Sequence, residues 1–226
     1  MNAVSLESAQ LRQTMVDCQL RTFDVTNHAV LARMAEVPRE MFLPEAARAI
    51  AYSDRAIAVR GDSSERRLLP PMVLARLLQA AAIAPGDKVL CVGGGGGYGA
   101  AVAAGLGASA VALENDAGFS ALASAGYAAL GLANARAASG DLAAGLPGEA
   151  PFDVIVMEGA FEQEPQALLG QLAEGGRLLA LWKTQAAEAC RAVRYEKFNG
   201  VIGSQELFGC GGRVLPGFEA AKAFSF

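Results

Sequence analysis

Two textures of apolar patterning divide the chain. From about Ser5 to Arg67, apolar residues recur among charged ones at helical spacing: Val16 and Leu20, then Val30, Leu31 and Met34. Such spacing places them on one face of a helix. Pro38 opens a further predicted helix through Glu40, Phe42 and Ala46, and Pro70-Pro71 begin another, Met72 to Ala82, which stops at Pro85-Gly86. From Lys88 the pattern changes to short continuous apolar runs separated by helical stretches. KVLCV, AVALE, FDVIVM and RLLALW are predicted strands, with one more near Ala133 to Ala137. Helices are expected over AAVAAGL, from about Asp116 to Leu130, and around Pro165 to Ala173. Strands of this kind interleaved with helices predict a parallel, doubly wound α/β sheet. RAVRYEKF and VIGSQELF then flank Asn199-Gly200, a two-residue hairpin signature, so five parallel strands should be followed by an antiparallel pair. That is the layout of a class I methyltransferase fold, whereas a plain dinucleotide-binding sheet would finish on a sixth parallel strand. Residues 1–70 are expected to form a helical N-terminal cap, and 71–226 the ligand-binding domain.

Composition narrows the classes. Of 226 residues, 53% are apolar, enough for a sizeable core. Gly, Pro or a charge interrupts every Ala-rich stretch before it could span a bilayer. MNAVSLESAQLRQ has no basic segment followed by an apolar one, so no secretion signal is expected. A net charge of −4 and a pI near 5.1 argue against a nucleic-acid partner. The four cysteines, Cys18, Cys91, Cys190 and Cys210, form no CxxC pair, which points away from a zinc site or a disulfide framework and toward a reducing, cytoplasmic setting. Monomer and dimer both remain open.

The feature that composition does not explain is VLCVGGGGGYGAAVAAGL, with five consecutive glycines, Gly93 to Gly97, between a strand and its crossover helix. Bare backbone there lets a ligand approach a positive helix end. Two registers fit. Gly94, Gly96 and Gly99 complete the GxGxxG of dinucleotide enzymes, which keeps an NAD-dependent oxidoreductase open. Gly93, Gly95 and Gly97, counted from the residue after the strand, make the GxGxG of S-adenosylmethionine enzymes. Glu114, at the end of AVALE, is placed to accept ribose hydroxyls in either case. Asp141, after the next strand, could bond an adenine amino group.

MVDCQLRT, VPREMFLPEAARAIAYSD, KVLCVGGGGGYGAAVAA, APFDVIVMEGA and LLGQLAEGGRLL, in this order, resemble the protein-L-isoaspartate O-methyltransferase family from about Met15 to Leu181. The resemblance implies S-adenosylmethionine as cofactor and a peptide or protein carboxylate as methyl acceptor. It implies cofactor contacts from Gly93, Gly94, Gly95, Gly97 and Tyr98, from Glu114 and Asn115, and from Gly140, Asp141 and Leu142. The sequence departs from the family pattern twice. Cys91 stands where an acidic residue commonly closes the first strand. ERRLLP replaces a Gln-Thr-Ile-Ser type segment, with Arg67 and Leu69 where the hydroxyls would align and Ser63 or Ser64 available by a shift in register. A homologue that binds cofactor without isoaspartyl repair therefore stays open as well.

An acceptor carboxylate has a reference pKa of about 4 and needs no general base. This agrees with a chain whose one histidine, His28, falls in the helical N-terminal region. Arg66 and Arg67 are the candidate clamp for an anionic acceptor group. Cys91, Trp182 and Phe208 are expected to pack rather than to act, and no catalytic residue or metal ligand is assigned.

Overall fold

Asn27, Pro71 and Asp116 each open a helix. The computed structural model describes residues 3–59, 66–107, 109–184 and 188–221. Helix α1 (Ala3–Met15) runs into a π-helical turn, Val16–Leu20, whose Val16 and Leu20 are buried. In α2 (His28–Glu36), Asn27 Oδ1 accepts from Ala29 and Val30 N–H at 3.0 and 3.1 Å, and Val30, Leu31 and Met34 face inward as their spacing predicts. The helix expected through Ala46 is instead two 3₁₀ turns, Arg39–Phe42 and Glu45–Ile50. Leu43 between them is extended, because the residue before Pro44 is pushed out of the helical region. A small hairpin follows, β1 (Ile57–Ala58) with β2 (Arg67–Leu68), and then α3 (Pro71–Ala81).

The second half forms the main sheet. Its strands are β3 (Lys88–Val92), β4 (Ser109–Glu114), β5 (Ala135–Ser139), β6 (Phe152–Phe161), β7 (Leu172–Trp182), β8 (Cys190–Phe198) and β9 (Val201–Cys210). Helices α4 (Tyr98–Ala104), α5 (Ala117–Ala129) and α6 (Gln166–Gly170) lie between them. The spatial order is β5-β4-β3-β6-β7-β8-β9; the first five strands are parallel, β8 is antiparallel to β7, and β9 to β8. This is the predicted architecture. Asn199 and Gly200, at φ 51° and 75°, make the tight turn between β8 and β9. Several boundaries shift: β5 begins at Ala135, β6 runs on to Phe161, and α6 ends at Gly170, because Leu172 already pairs with Phe152 and opens β7 ahead of Arg177. Trp182 does not pack inside. It closes β7 with 37% of its surface exposed, at the end of the strand beyond its buried part.

Alternate residues of the central strands feed two cores. Val89, Cys91, Ala110, Ala112, Val154, Val156 and Leu179 face a core shared with α3, α4, α5 and the N-terminal region, including Met15, Leu20, Leu31, Met34 and Phe42. Leu90, Val92, Val111, Leu113, Ile155, Met157 and Leu178 face the other, closed by α6 and the C-terminal Leu215 and Phe218. The N-terminal region is thus built into one of the two cores, and Phe42 lies against the back of the glycine loop.

Candidate cofactor and acceptor site

Strand β3 ends at Val92, level with Leu113 of β4 and Met157 of β6, and the chain turns through Gly93–Gly97 into α4. Gly93, Gly95 and Gly97 take φ of 77°, 75° and 81°, while Gly94, Gly96 and Gly99 are not left-handed. Left-handed backbone at every second residue requires glycine there whatever the surrounding space. It falls on the GxGxG register and leaves the other without a conformational reason. Internal packing accounts for that other set. A methyl group at Gly94 would lie 2.6 Å from Glu158 Oε1, one at Gly99 would also strike Glu158, and one at Gly96 would strike the Phe42 carbonyl oxygen.

Three charged side chains converge above the loop. Glu114, fully buried at the end of β4, accepts the Gly95 N–H on Oε1 at 2.5 Å. Its Oε2 lies 3.5 Å from Arg66 Nη1 and accepts no hydrogen bond among the described residues. Burial pushes the Glu114 carboxyl up to about 7, against the opposing pull of Arg66 and the Gly95 N–H. Arg66, 5% exposed, lies across the loop. Its Cγ and Nη1 take the space that methyl groups at Gly95 and Gly93 would need, at 2.5 and 2.6 Å. Its Nη2 donates to Asn115 Oδ1 at 2.6 Å, and its Cζ is 5.7 Å from the centre of the Phe119 ring. Burial draws the Arg66 guanidinium below its ordinary pKa, and the Glu114 and Glu158 carboxylates partly restore it.

Glu158, near the end of β6, is 2% exposed, and neither of its oxygens accepts a hydrogen bond among the described residues. Burial first, then the neighbouring Glu114 charge, lifts it to about 8 despite Arg39 and Arg66. No role was read for it in the sequence, although a signal was present: an acid inside the otherwise apolar run FDVIVMEGAF. Cys91, one strand away, is a buried residue whose thiol is pushed well up by burial, as expected of a packing cysteine.

A cavity of about 410 Å³ adjoins this cluster, lined among others by Arg66, Arg67, Leu69, Glu158, Gly212 and Leu215. Arg67, in β2, has a buried Nε with no hydrogen-bond partner among the described residues, and Leu69 is buried. Ser63 and Ser64 lie outside the described residues. At the neighbouring strand ends, Gly140 N–H donates to the Glu114 carbonyl at 2.9 Å, Asp141 Oδ1 accepts from Ala143 N–H at 3.0 Å, and Leu142 is buried. Gly93, Glu114, Asn115, Gly140 and Asp141 thus gather at the carboxyl ends of β3, β4 and β5, where open α/β sheets bind ligands. Tyr98 points instead into the cap. It packs on Phe42 at 5.8 Å between ring centroids and beneath the Arg39 guanidinium at 4.9 Å, and burial lifts its phenol to about 12. His28 is exposed at the first position of α2, and Phe208 packs under Arg76.

The segments VPREMF and AYSD support the loop from behind. Fully buried Arg39 donates from Nε to the Ala51 carbonyl at 2.9 Å and from Nη2 to the Leu69 carbonyl at 2.6 Å. Tyr52 donates its hydroxyl to Glu40 and accepts from Arg12 Nη1 at 3.0 Å.

Comparison with known proteins bears on the family and the fold. The family model described as Protein-L-isoaspartate(D-aspartate) O-methyltransferase (PCMT) matches residues 11–207. The chain belongs to this family. The Koribacter versatilis protein-L-isoaspartate O-methyltransferase is 39% identical over 183 residues, 81% of either chain. The Gloeobacter violaceus protein-L-isoaspartate O-methyltransferase is 39% identical over 188 residues, 83% of this chain and 90% of its own. Among solved structures, a protein-L-isoaspartate O-methyltransferase superposes with a TM-score of 0.79 at 23% identity, over 93% of this chain and 66% of that one. A Plasmodium falciparum chain assigned to the same activity, in complex with S-adenosyl-L-homocysteine, gives 0.76 at 19% identity over 90% and 97%. These structural likenesses establish the class I methyltransferase fold, and the sequence matches establish the family. The resemblance read from MVDCQLRT onward is borne out. No helix among the described residues is long and apolar enough to cross a membrane.

Proposed function

We propose that the protein is a carboxyl O-methyltransferase that uses S-adenosylmethionine to methylate isoaspartyl residues of proteins in a reducing cytoplasm. The observation that carries the cofactor reading is the left-handed backbone at Gly93, Gly95 and Gly97, together with a Glu114 carboxyl that the Gly95 N–H orients and that keeps one oxygen without a hydrogen bond among the described residues. A sugar hydroxyl can meet that free oxygen, and the amino-acid end of the cofactor can rest on Gly93, Gly94, Gly95 and Gly97. Asn115, Gly140, Asp141 and Leu142 border the place for the base. When bound, the cofactor supplies a methyl group on a sulfonium.

The protein's own task is then alignment and exclusion of water, because a carboxylate acceptor is already ionised at neutral pH. The arginine-lined cavity beside the loop suits such an acceptor. Arg67 offers a fork of donors to an anionic group, and residues 1–70 supply that wall of the site together with the C-terminal segment near Leu215.

Incubation with labelled S-adenosylmethionine and a peptide pair, one isoaspartyl and one aspartyl, tests the reading. Label is expected in an alkali-labile ester on the isoaspartyl peptide alone. Cofactor binding with no transfer to either peptide would show a homologue without repair activity.

A further inference from the structure

Arg66 occupies the surface that the proposed cofactor needs. Any ligand resting on Gly93 and Gly95 must take the volume now filled by the Arg66 Cγ and Nη1, and a sugar hydroxyl reaching Glu114 Oε2 must come between that oxygen and Nη1, 3.5 Å away. Besides its 3.5 Å approach to Glu114 and its place over the Phe119 ring, the guanidinium makes few hydrogen bonds to the described residues. Nη2 donates one hydrogen bond to Asn115 Oδ1, and Nη1 has no hydrogen-bond partner among the described residues. The same side chain already lines the adjoining cavity beside Arg67, Leu69 and Glu158, so it borders the space into which it would turn. Both Glu158 oxygens lack hydrogen-bond partners among the described residues and can receive it there.

We propose that Arg66 is a specificity-determining residue shared by the two subsites. In the ligand-free protein its guanidinium compensates Glu114 in the sugar position; cofactor binding turns it into the cavity, where with Arg67 it anchors the acceptor's carboxylate. The inference rests on the cofactor reading above. It gives the methyl acceptor high affinity only after the cofactor is in place, since before that one of the two clamping arginines is committed elsewhere. Because coupling between sites is reciprocal, the acceptor must tighten cofactor binding by the same factor.

The test is the affinity of a fluorescent isoaspartyl peptide for the full chain with and without saturating S-adenosylhomocysteine, in wild type and Arg66→Gln. Wild type is expected to bind the peptide about tenfold tighter with the nucleoside present, a coupling typical of linked sites. In Arg66→Gln the coupling should fall to about one, with the peptide weak in both conditions. Should Arg66→Gln fail to fold, Arg66→Lys keeps the buried charge but loses the planar fork, and its coupling is expected to be reduced. Equal wild-type peptide affinity in both conditions, or full coupling in a folded Arg66 variant, overturns the inference while leaving the cofactor reading intact. Wild type that binds no S-adenosylhomocysteine overturns both.

Discussion

Glu158 is buried with neither oxygen hydrogen-bonded among the described residues, an arrangement that a protein tolerates only by keeping the acid protonated or by neutralising it with a neighbouring cation. Glu158 is lifted to about 8 and Glu114 to about 7, both from an ordinary value of 4.5. Between the ordinary and the raised values the folded protein holds protons that the unfolded chain has lost. Stability therefore falls as pH rises from about 4.5, to about 7 through Glu114 and to about 8 through Glu158, by on the order of 1 kcal/mol per pH unit for each proton. Denaturant melts across that range should show this slope, and Glu158→Gln should reduce it to the share of Glu114; an unchanged slope would place the effect elsewhere. Gly95→Ala carries a second expectation. Left-handed φ and the encounter with Arg66 Cγ should cost the fold at least about 1 kcal/mol, readable as a lower denaturation midpoint. Glu114 was legible in the sequence, because the end of a strand one unit after a glycine loop is a fixed place in such sheets. Arg66 was legible only as a charged residue in an unusual segment. Its contact with Asn115, 49 residues further on, depends on how the β1–β2 hairpin folds over the loop, and no local pattern encodes that.

Strand β9 hangs on its turn. Asn199 and Gly200 are both left-handed, and Gly200→Val should destabilise the β8–β9 hairpin by about 1 kcal/mol or more, measured as a loss of amide protection in β9 greater than in β4. The hairpin, β3, β4 and the middle of β6 were readable because each combines a clean apolar run with clear punctuation. What misled was punctuation acting against periodicity. The apolar spacing through Phe42 and Ala46 is helical, yet Pro44 forces Leu43 extended and splits the segment. Leu172 and Ala173 read as the end of a helix, yet the pairing of Leu172 with Phe152 recruits them to β7. In both places a backbone constraint or a sheet partner outweighed side-chain spacing.

The N-terminal region and the sheet meet through a fully buried cation, Arg39, which hydrogen-bonds the carbonyls of Ala51 and Leu69 and covers Tyr98 at the start of α4. It joins the VPREMF segment, the strand carrying Arg67 and the glycine loop into one body. Arg39→Ala removes two charge-assisted hydrogen bonds and leaves two carbonyls to find other partners, a cost of about 3 kcal/mol or more, which a thermal melt would register as a large drop in midpoint. That the cap belongs to the same family as the sheet was legible from the order of its motifs, but its mode of attachment was not, since Arg39 reads in sequence like any exposed arginine. The most direct test of the whole account is calorimetric titration of the intact chain with S-adenosylhomocysteine and, in parallel, with NAD, alongside Glu114→Gln. The account predicts single-site binding of S-adenosylhomocysteine, weakened at least about tenfold in Glu114→Gln by loss of a charge-assisted hydrogen bond, and no binding of NAD. Binding of NAD, or binding of S-adenosylhomocysteine that is indifferent to residue 114, would contradict it.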